Sequence, residues 1–227
     1  MEVIFEDNHI IVVLKPQNVP TQADESGDKD MLSMVKEYIK QKYNKPGNVF
    51  VGLVHRLDRP TGGVMVFAKT SKAASRLSEQ FRNKEAEKTY LAVVTGVLKN
   101  HKSKLVNYLL KDEKNNKVKV VPMSTAGAKR AELDYEELEE KEGFHLLKVK
   151  LGTGRGHQIR VQLATMGNPI FGDQKYAINM PKANLNLFAT ELRFRHPVSK
   201  DIMVFRAFPP EDLLAWNKFN LEKYISL

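Results

Sequence analysis

Short runs of β-branched and apolar residues, each closed by turn residues, are what most constrain the fold of this chain. They recur at residues 3–6, 9–14, 49–53, 63–68, 90–94, 131–138, 145–151, 185–194 and 202–207. Such runs bounded by Asn, Asp, Gly and Pro read as strands. Asp7-Asn8 between the first two is a hairpin signal. Helical patterns intervene irregularly. Residues 30–43 place Met31, Met34, Val35, Tyr38 and Ile39 near one face, and Ala73, Ala74, Leu77 and Phe81 follow a cap at Thr70 or Ser71. Residues 157–166 read as a helix stopped by Gly167, and residues 211–224 as a terminal helix bearing Trp216. Strands grouped in hairpins with scattered helices predict an α+β fold with a mixed, mostly antiparallel sheet, rather than regular βαβ winding. Residues 100–119, rich in Lys and Asn, read as a mobile hairpin or a basic surface loop.

A chain of 227 residues is long enough to bury a sizeable core as one domain or two packed halves. With no cysteine, that core has no disulfide, and thiolate metal sites and cysteine nucleophiles are excluded. This suits a reducing compartment and predicts a cytoplasmic protein. No apolar run approaches the roughly 18 residues that span a bilayer, so no membrane partner is expected. The 36 Lys and Arg against 27 Asp and Glu give a formal charge of +9. Such an excess attracts polyanions, nucleic acid first among them, although many basic proteins only carry solvated lysines.

Three stretches have the residue types for chemistry. In HRLDRPTGG, Asp58 is a lone acid among His55, Arg56 and Arg59, ahead of a Thr61-Gly62-Gly63 turn. A carboxylate among guanidinium groups favours its charged form and can serve as nucleophile or electrostatic stabiliser. On the residues alone, a structural ion pair is the commoner explanation. In LGTGRGHQIR, Gly152, Gly154 and Gly156 flank Thr153 and Arg155 before a helix carrying Arg160. A glycine-rich turn before a helix can cradle an anion, but the spacing is neither a dinucleotide fingerprint nor a Walker loop. In EKTYLAVVTG, Tyr90 sits in a β-branched run, where core packing is the ordinary role and base stacking the functional one. His55, His157 and His196 stand in separate segments without paired ligand spacing, so no metal site is expected.

Together these stretches resemble the RluA-type pseudouridine synthases. HRLDRPTGG with the following AKT resembles that family's signature, and EKTYLAVVTG its tyrosine-bearing strand. TGRGHQIRVQLATMGNPIFGDQKY resembles its arginine motif, LKP at residues 14–16 its opening motif, and LFATELRFRHPVSK its C-terminal strand. The matches fall in family order over residues 3–208. The resemblance implies a pseudouridine synthase fold, a mostly antiparallel central sheet with a catalytic cleft flanked by helices and loops. It implies one catalytic domain over residues 1–227, with no small RNA-binding domain before it. The implied activity is isomerisation of uridine in RNA, ribosomal or transfer, with no cofactor or metal, by a monomer. Asp58 occupies the place of the essential aspartate, Tyr90 that of the tyrosine at the target base, and Arg160 that of the arginine pairing with the aspartate. His55, Arg56, Thr61, Arg155, His157 and Gln158 are implied in substrate binding.

Departures from the family pattern are few. Gly62 stands where Ser is frequent, Asn18 where Gly is, and Phe188 where many members carry His. Asn tolerates a left-handed backbone, so the turn at Asn18 is expected to survive. Two rival readings differ in class. A non-catalytic RNA-binding protein on the same fold predicts loss of Asp58, Tyr90 or Arg160, and all three are present. A glycoside or nucleoside hydrolase needs a second carboxylate, and none flanks Asp58.

Overall fold

A computed structural model describes residues 1–210 and 215–225. In chain order the strands are β1 (Glu2–Glu6), β2 (Ile10–Lys15), β3 (Gly52–Leu53), β4 (Gly62–Ala68), β5 (Glu87–Thr95), β6 (Lys102–Asp112), β7 (Lys117–Val121), β8 (Lys129–Lys141), β9 (Phe144–Leu151), β10 (Leu187–Arg195) and β11 (Ile202–Arg206). The α-helices are α1 (Met31–Lys42), α2 (Ser71–Arg82) and α3 (Gln158–Thr165). This is a sheet-dominated α+β architecture. The chain divides into two compact units, Met1–Glu87 with Glu191–Ala207, and Lys88–Thr190 with the tail from Phe208.

In the first unit β1 and β2 form an antiparallel hairpin, and β2 runs antiparallel to β4 from Ile10↔Ala68 to Lys15↔Gly63. The hairpin turn forms because Asp7 Oδ1 accepts from the backbone N–H of His9 and of Ile10, both at 2.7 Å. Every residue of β4 is buried, which accounts for its unbroken apolar sequence. α1 is capped by Asp30, whose side chain accepts from Ser33 N–H, and α2 by Thr70 in the same way from Ala73 N–H. α1 buries Met31, Val35 and Ile39, and α2 buries Ala73 and Leu77. Gly52 on β3 lies so near α2 that an added Cβ would meet the Ala74 Cβ at 2.7 Å. The strand expected over residues 49–53 shrinks to Gly52–Leu53.

The second unit is an antiparallel meander in which β5 pairs β9, β9 pairs β8, β8 pairs β6 and β6 pairs β7. The Lys- and Asn-rich segment is therefore an ordered hairpin of two strands. Lysines mask its pattern, because one strand face is solvated while Leu105, Leu109 and Val118 turn inward. Register carries one face across the sheet, from Ala131 and Tyr135 on β8 to Val149 on β9 and Tyr90 on β5. α3 covers that face, with its Val161 packed among Leu109, Val118 and Ala131. The terminal helix is not found as expected. Residues 216–218 and 221–223 are single 3₁₀ turns, Trp216 is buried, and residues 211–214 lie outside the described residues.

Candidate active site

Asp58 heads a tight turn. The Thr61 N–H donates to the Asp58 carbonyl at 3.0 Å, so the turn is Asp58-Arg59-Pro60-Thr61 and Gly62-Gly63 already belongs to β4. This corrects the turn expected at Thr61-Gly62-Gly63. Gly63 takes φ 133°, a conformation open to glycine and strained for other residues.

Beneath the turn lies Lys15, whose side chain is wholly buried. Its Nζ donates to the carbonyls of Pro16 at 3.0 Å, Arg59 at 3.0 Å and Thr61 at 2.8 Å. An ammonium has three donors, and this one spends all three on backbone carbonyls, two of them in the Asp58 turn. Burial lowers its pKa to about 7; the charge of Asp58 works against that fall and the charge of Arg59 works with it. The sequence reading did not single out Lys15 as a candidate site residue. The available signal was a lone lysine ending the run IIVVLK.

The segment before Asp58 is fixed at several points. Thr21 Oγ1 donates to the Leu57 carbonyl at 2.8 Å and accepts from the Leu57 N–H at 3.3 Å. His55 Nε2 accepts from Val66 N–H at 3.0 Å, and its ring stacks on Phe81 at 4.6 Å. Gln17 Nε2 donates to the Pro60 carbonyl at 3.1 Å, and Asn18 takes φ 63°, as expected of a residue filling a glycine position. Arg59 bonds Ser26 and pairs with Asp24 and Asp28 on the loop before α1. Arg56 is exposed. Thr61 is buried, and its hydroxyl makes no hydrogen bond among the described residues. His55 and Thr61 are packed within the loop, while Arg56 is exposed.

The second unit holds Tyr90 and Arg160. Tyr90 is buried on β5, and Lys88, two residues earlier, shares its strand face. Burial lowers the Lys88 pKa. Its Nζ lies against Gly154, where a Cβ would stand 3.1 Å away. Gln158 braces the glycine-rich loop from within. Its Oε1 accepts from Arg155 N–H at 3.0 Å and from the Thr153 hydroxyl at 2.7 Å, and its Nε2 donates to the Glu132 carbonyl at 2.9 Å. Arg155 is exposed, with its Nε on the Arg130 carbonyl at 3.2 Å.

Arg160 leaves α3 fully clamped on one edge. Its Nε and Nη2 donate to Asp173 Oδ2 at 2.8 Å and Oδ1 at 2.7 Å, and its guanidinium lies 5.2 Å from the centre of the Tyr176 ring. Arg160 is 5% exposed and Asp173 1%. Burial pushes the Asp173 carboxyl up, but the hydrogen bonds and charge of Arg160 and the N–H groups of Lys175 and Tyr176 outweigh it and hold the group below its ordinary range. This fork takes two of the five guanidinium N–H donors. His157 adopts φ 52°, and its Nδ1 meets the Tyr176 hydroxyl at 2.6 Å. Asp173 and Tyr176 lie inside the arginine motif, and nothing in their spacing announces a clamp 13 residues from Arg160.

Among the described residues, no group of three or more His, Asp or Glu is arranged to hold a metal, and no helix is long and apolar enough to cross a membrane.

The family model described as RNA pseudouridylate synthase matches residues 9–165, and the chain belongs to that family of isomerases acting on RNA. It is 32% identical to ribosomal large subunit pseudouridine synthase C of Buchnera aphidicola, over 96% of this chain and 69% of that protein. It is 34% identical to an uncharacterized RNA pseudouridine synthase of Aquifex aeolicus, over 93% of this chain and 70% of that protein. Among solved structures, human RNA pseudouridylate synthase domain containing 4 superposes with a TM-score of 0.78 at 21% identity, covering 92% of this chain and 88% of that one, which shows the shared fold.

Proposed function

We propose that this protein converts uridine to pseudouridine in ribosomal RNA, with Asp58 as the reacting carboxylate. The observation that carries the reading is the Asp58 turn, closed by Thr61 N–H and tied through the Arg59 and Thr61 carbonyls to a buried ammonium. Preorganised charge around a loop carboxylate is a catalytic arrangement, and a structural ion pair does not need a buried lysine to hold the backbone.

The reaction balances within one nucleotide. The N1–C1′ bond breaks, the C5–C1′ bond forms, the C5 proton leaves and N1 gains a proton, so no cofactor is consumed. Positive character develops at C1′ as the glycosidic bond opens, and a carboxylate stabilises or captures it. Addition of the same carboxylate to C6 of the base is the other route to the isomer. In this proposal Arg160 serves the reaction as a held cation, and the Tyr90 ring meets the base and serves the C5 proton. The target uridine leaves its stack at a cost of a few kcal/mol. Exposed Arg56 and Arg155 and the basic surface offset that cost through stacking and phosphate contacts.

Ribosomal RNA is favoured because the Buchnera aphidicola relative is named for the large ribosomal subunit, and the cytoplasm is then the place of action. The test is to incubate purified protein with unmodified ribosomal and transfer RNA and to map pseudouridine by reverse-transcription stops after carbodiimide treatment. New stops at defined uridines of ribosomal RNA are expected. Stops confined to transfer RNA would overturn the substrate, and none in either pool would overturn the activity.

A further inference from the structure

The short segment Asp173–Tyr176 holds more of the second unit in place than any motif reading assigned to it. Asp173 clamps one edge of Arg160, and the Tyr176 ring covers its face at 5.2 Å. The Tyr176 hydroxyl accepts from Val118 N–H of β7 at 2.9 Å and bonds His157 Nδ1 at 2.6 Å. The same ring meets the His157 ring edge-on at 5.6 Å. Lys175 Nζ adds a bond to the Asn116 carbonyl at the tip of the β6–β7 hairpin, 2.8 Å away. His157 sits in a left-handed conformation that costs a non-glycine residue energy and persists only where its surroundings enforce it.

We propose that Tyr176 is a positioning residue for the isomerisation, fixing the plane of Arg160 through its ring and the entry of α3 through its hydroxyl. This rests on the reading that Arg160 works in that reaction. Asp173 fixes the guanidinium along one edge, and the aromatic ring packs against its plane. His157 begins the turn that launches α3, so the bond to its Nδ1 sets the direction from which Arg160 departs. Both constraints pass through one side chain, which also ties in the strand β7.

The variants Tyr176→Phe and Tyr176→Leu separate ring from hydroxyl. Each would be measured for kcat and KM on RNA, for RNA affinity, for melting temperature, and for mobility of the Arg160 Nε–H by NMR. Tyr176→Leu is expected to lower kcat by about ten-fold, the scale on which small misplacements of a working group are felt, with KM and RNA affinity within about two-fold. The Arg160 Nε–H should become mobile in that variant. Tyr176→Phe, keeping the ring, is expected to retain most of kcat and a rigid Arg160. The proposal is overturned if Arg160 is equally rigid in all three proteins, or if kcat in both variants falls only in step with the folded fraction. The NMR readout does not need turnover. An inactive wild type with a rigid Arg160 that Tyr176→Leu loosens would sink the proposed function and leave the positioning contact standing.

Discussion

Replacing Asp173 by asparagine removes one charge from a pair that is almost wholly withdrawn from water, and the structure sets the size of the effect. Arg160 and Asp173 are 5% and 1% exposed and share two hydrogen bonds of 2.8 and 2.7 Å. Asparagine offers one acceptor to a two-pronged donor and turns its amide N–H groups toward Arg160 or toward the N–H of Lys175 and Tyr176, which both use Asp173 Oδ1. Arg160 then loses the carboxylate charge that both hydrogen bonds of its fork rest on. Breaking a buried pair from one side costs about 3–5 kcal/mol. For a chain of this length each kcal/mol moves the melting temperature by about 2–4 °C, so a fall of roughly 6–20 °C is expected. The pH dependence carries the same signature. The folded pKa of Asp173 lies below its unfolded value, so its stabilisation is complete above the unfolded pKa and is lost as pH falls through the folded one. Wild type should therefore lose part of its lead over Asp173→Asn as the pH is taken below about 4. The assay is thermal unfolding of both proteins at pH 7 and at pH 3.5. A drop below about 1 kcal/mol at pH 7 would refute the reasoning, because it would mean that Arg160 does not depend on this carboxylate.

Other expectations follow from single contacts. Lys15 titrates at about 7 when folded and near 10.4 when unfolded, so between those values the unfolded chain binds more protons and stability rises with pH. The stability of wild type relative to Lys15→Met should accordingly improve by about 2 kcal/mol from pH 6 to pH 9 in urea titrations, and an unchanged difference would contradict the burial argument. Thr21→Val strands the Leu57 N–H and carbonyl in a buried place and should cost about 2 kcal/mol, with a parallel loss of turnover as the loop before Asp58 loosens. Gly52→Ala drives a methyl group into Ala74 on α2 and should cost about 1–3 kcal/mol by chemical denaturation.

The first unit was nearly transcribed in its sequence. The Asp7 turn, the Asp30 and Thr70 caps and the continuous apolar run of β4 are local devices, each decided within a few residues. The β6–β7 hairpin was harder to read, since its exposed face carries lysines at alternate positions and its buried face is completed by α3 from elsewhere in the chain. The terminal segment shows helical periodicity but closes into 3₁₀ turns over its described part, with Trp216 buried. In the candidate site, Asp58, Tyr90 and Arg160 were legible through motif order. What supports them was not. Lys15 reaches the Asp58 turn from 43 residues upstream, and Asp173 reaches Arg160 across a turn. Gln158, read as a substrate ligand, spends both ends of its amide inside the loop. Sequence names a polar residue without saying whether its partner is the protein or the ligand, and only burial and distance separate the two.

The central claim, that the Asp58 carboxylate performs the isomerisation, is tested most directly with ribosomal RNA tritiated at uridine C5, since the reaction releases that tritium to water. Wild type should release it, while Asp58→Asn, nearly the same in shape and with RNA affinity preserved, should release none above background. Release by Asp58→Asn at the wild-type rate would contradict the account.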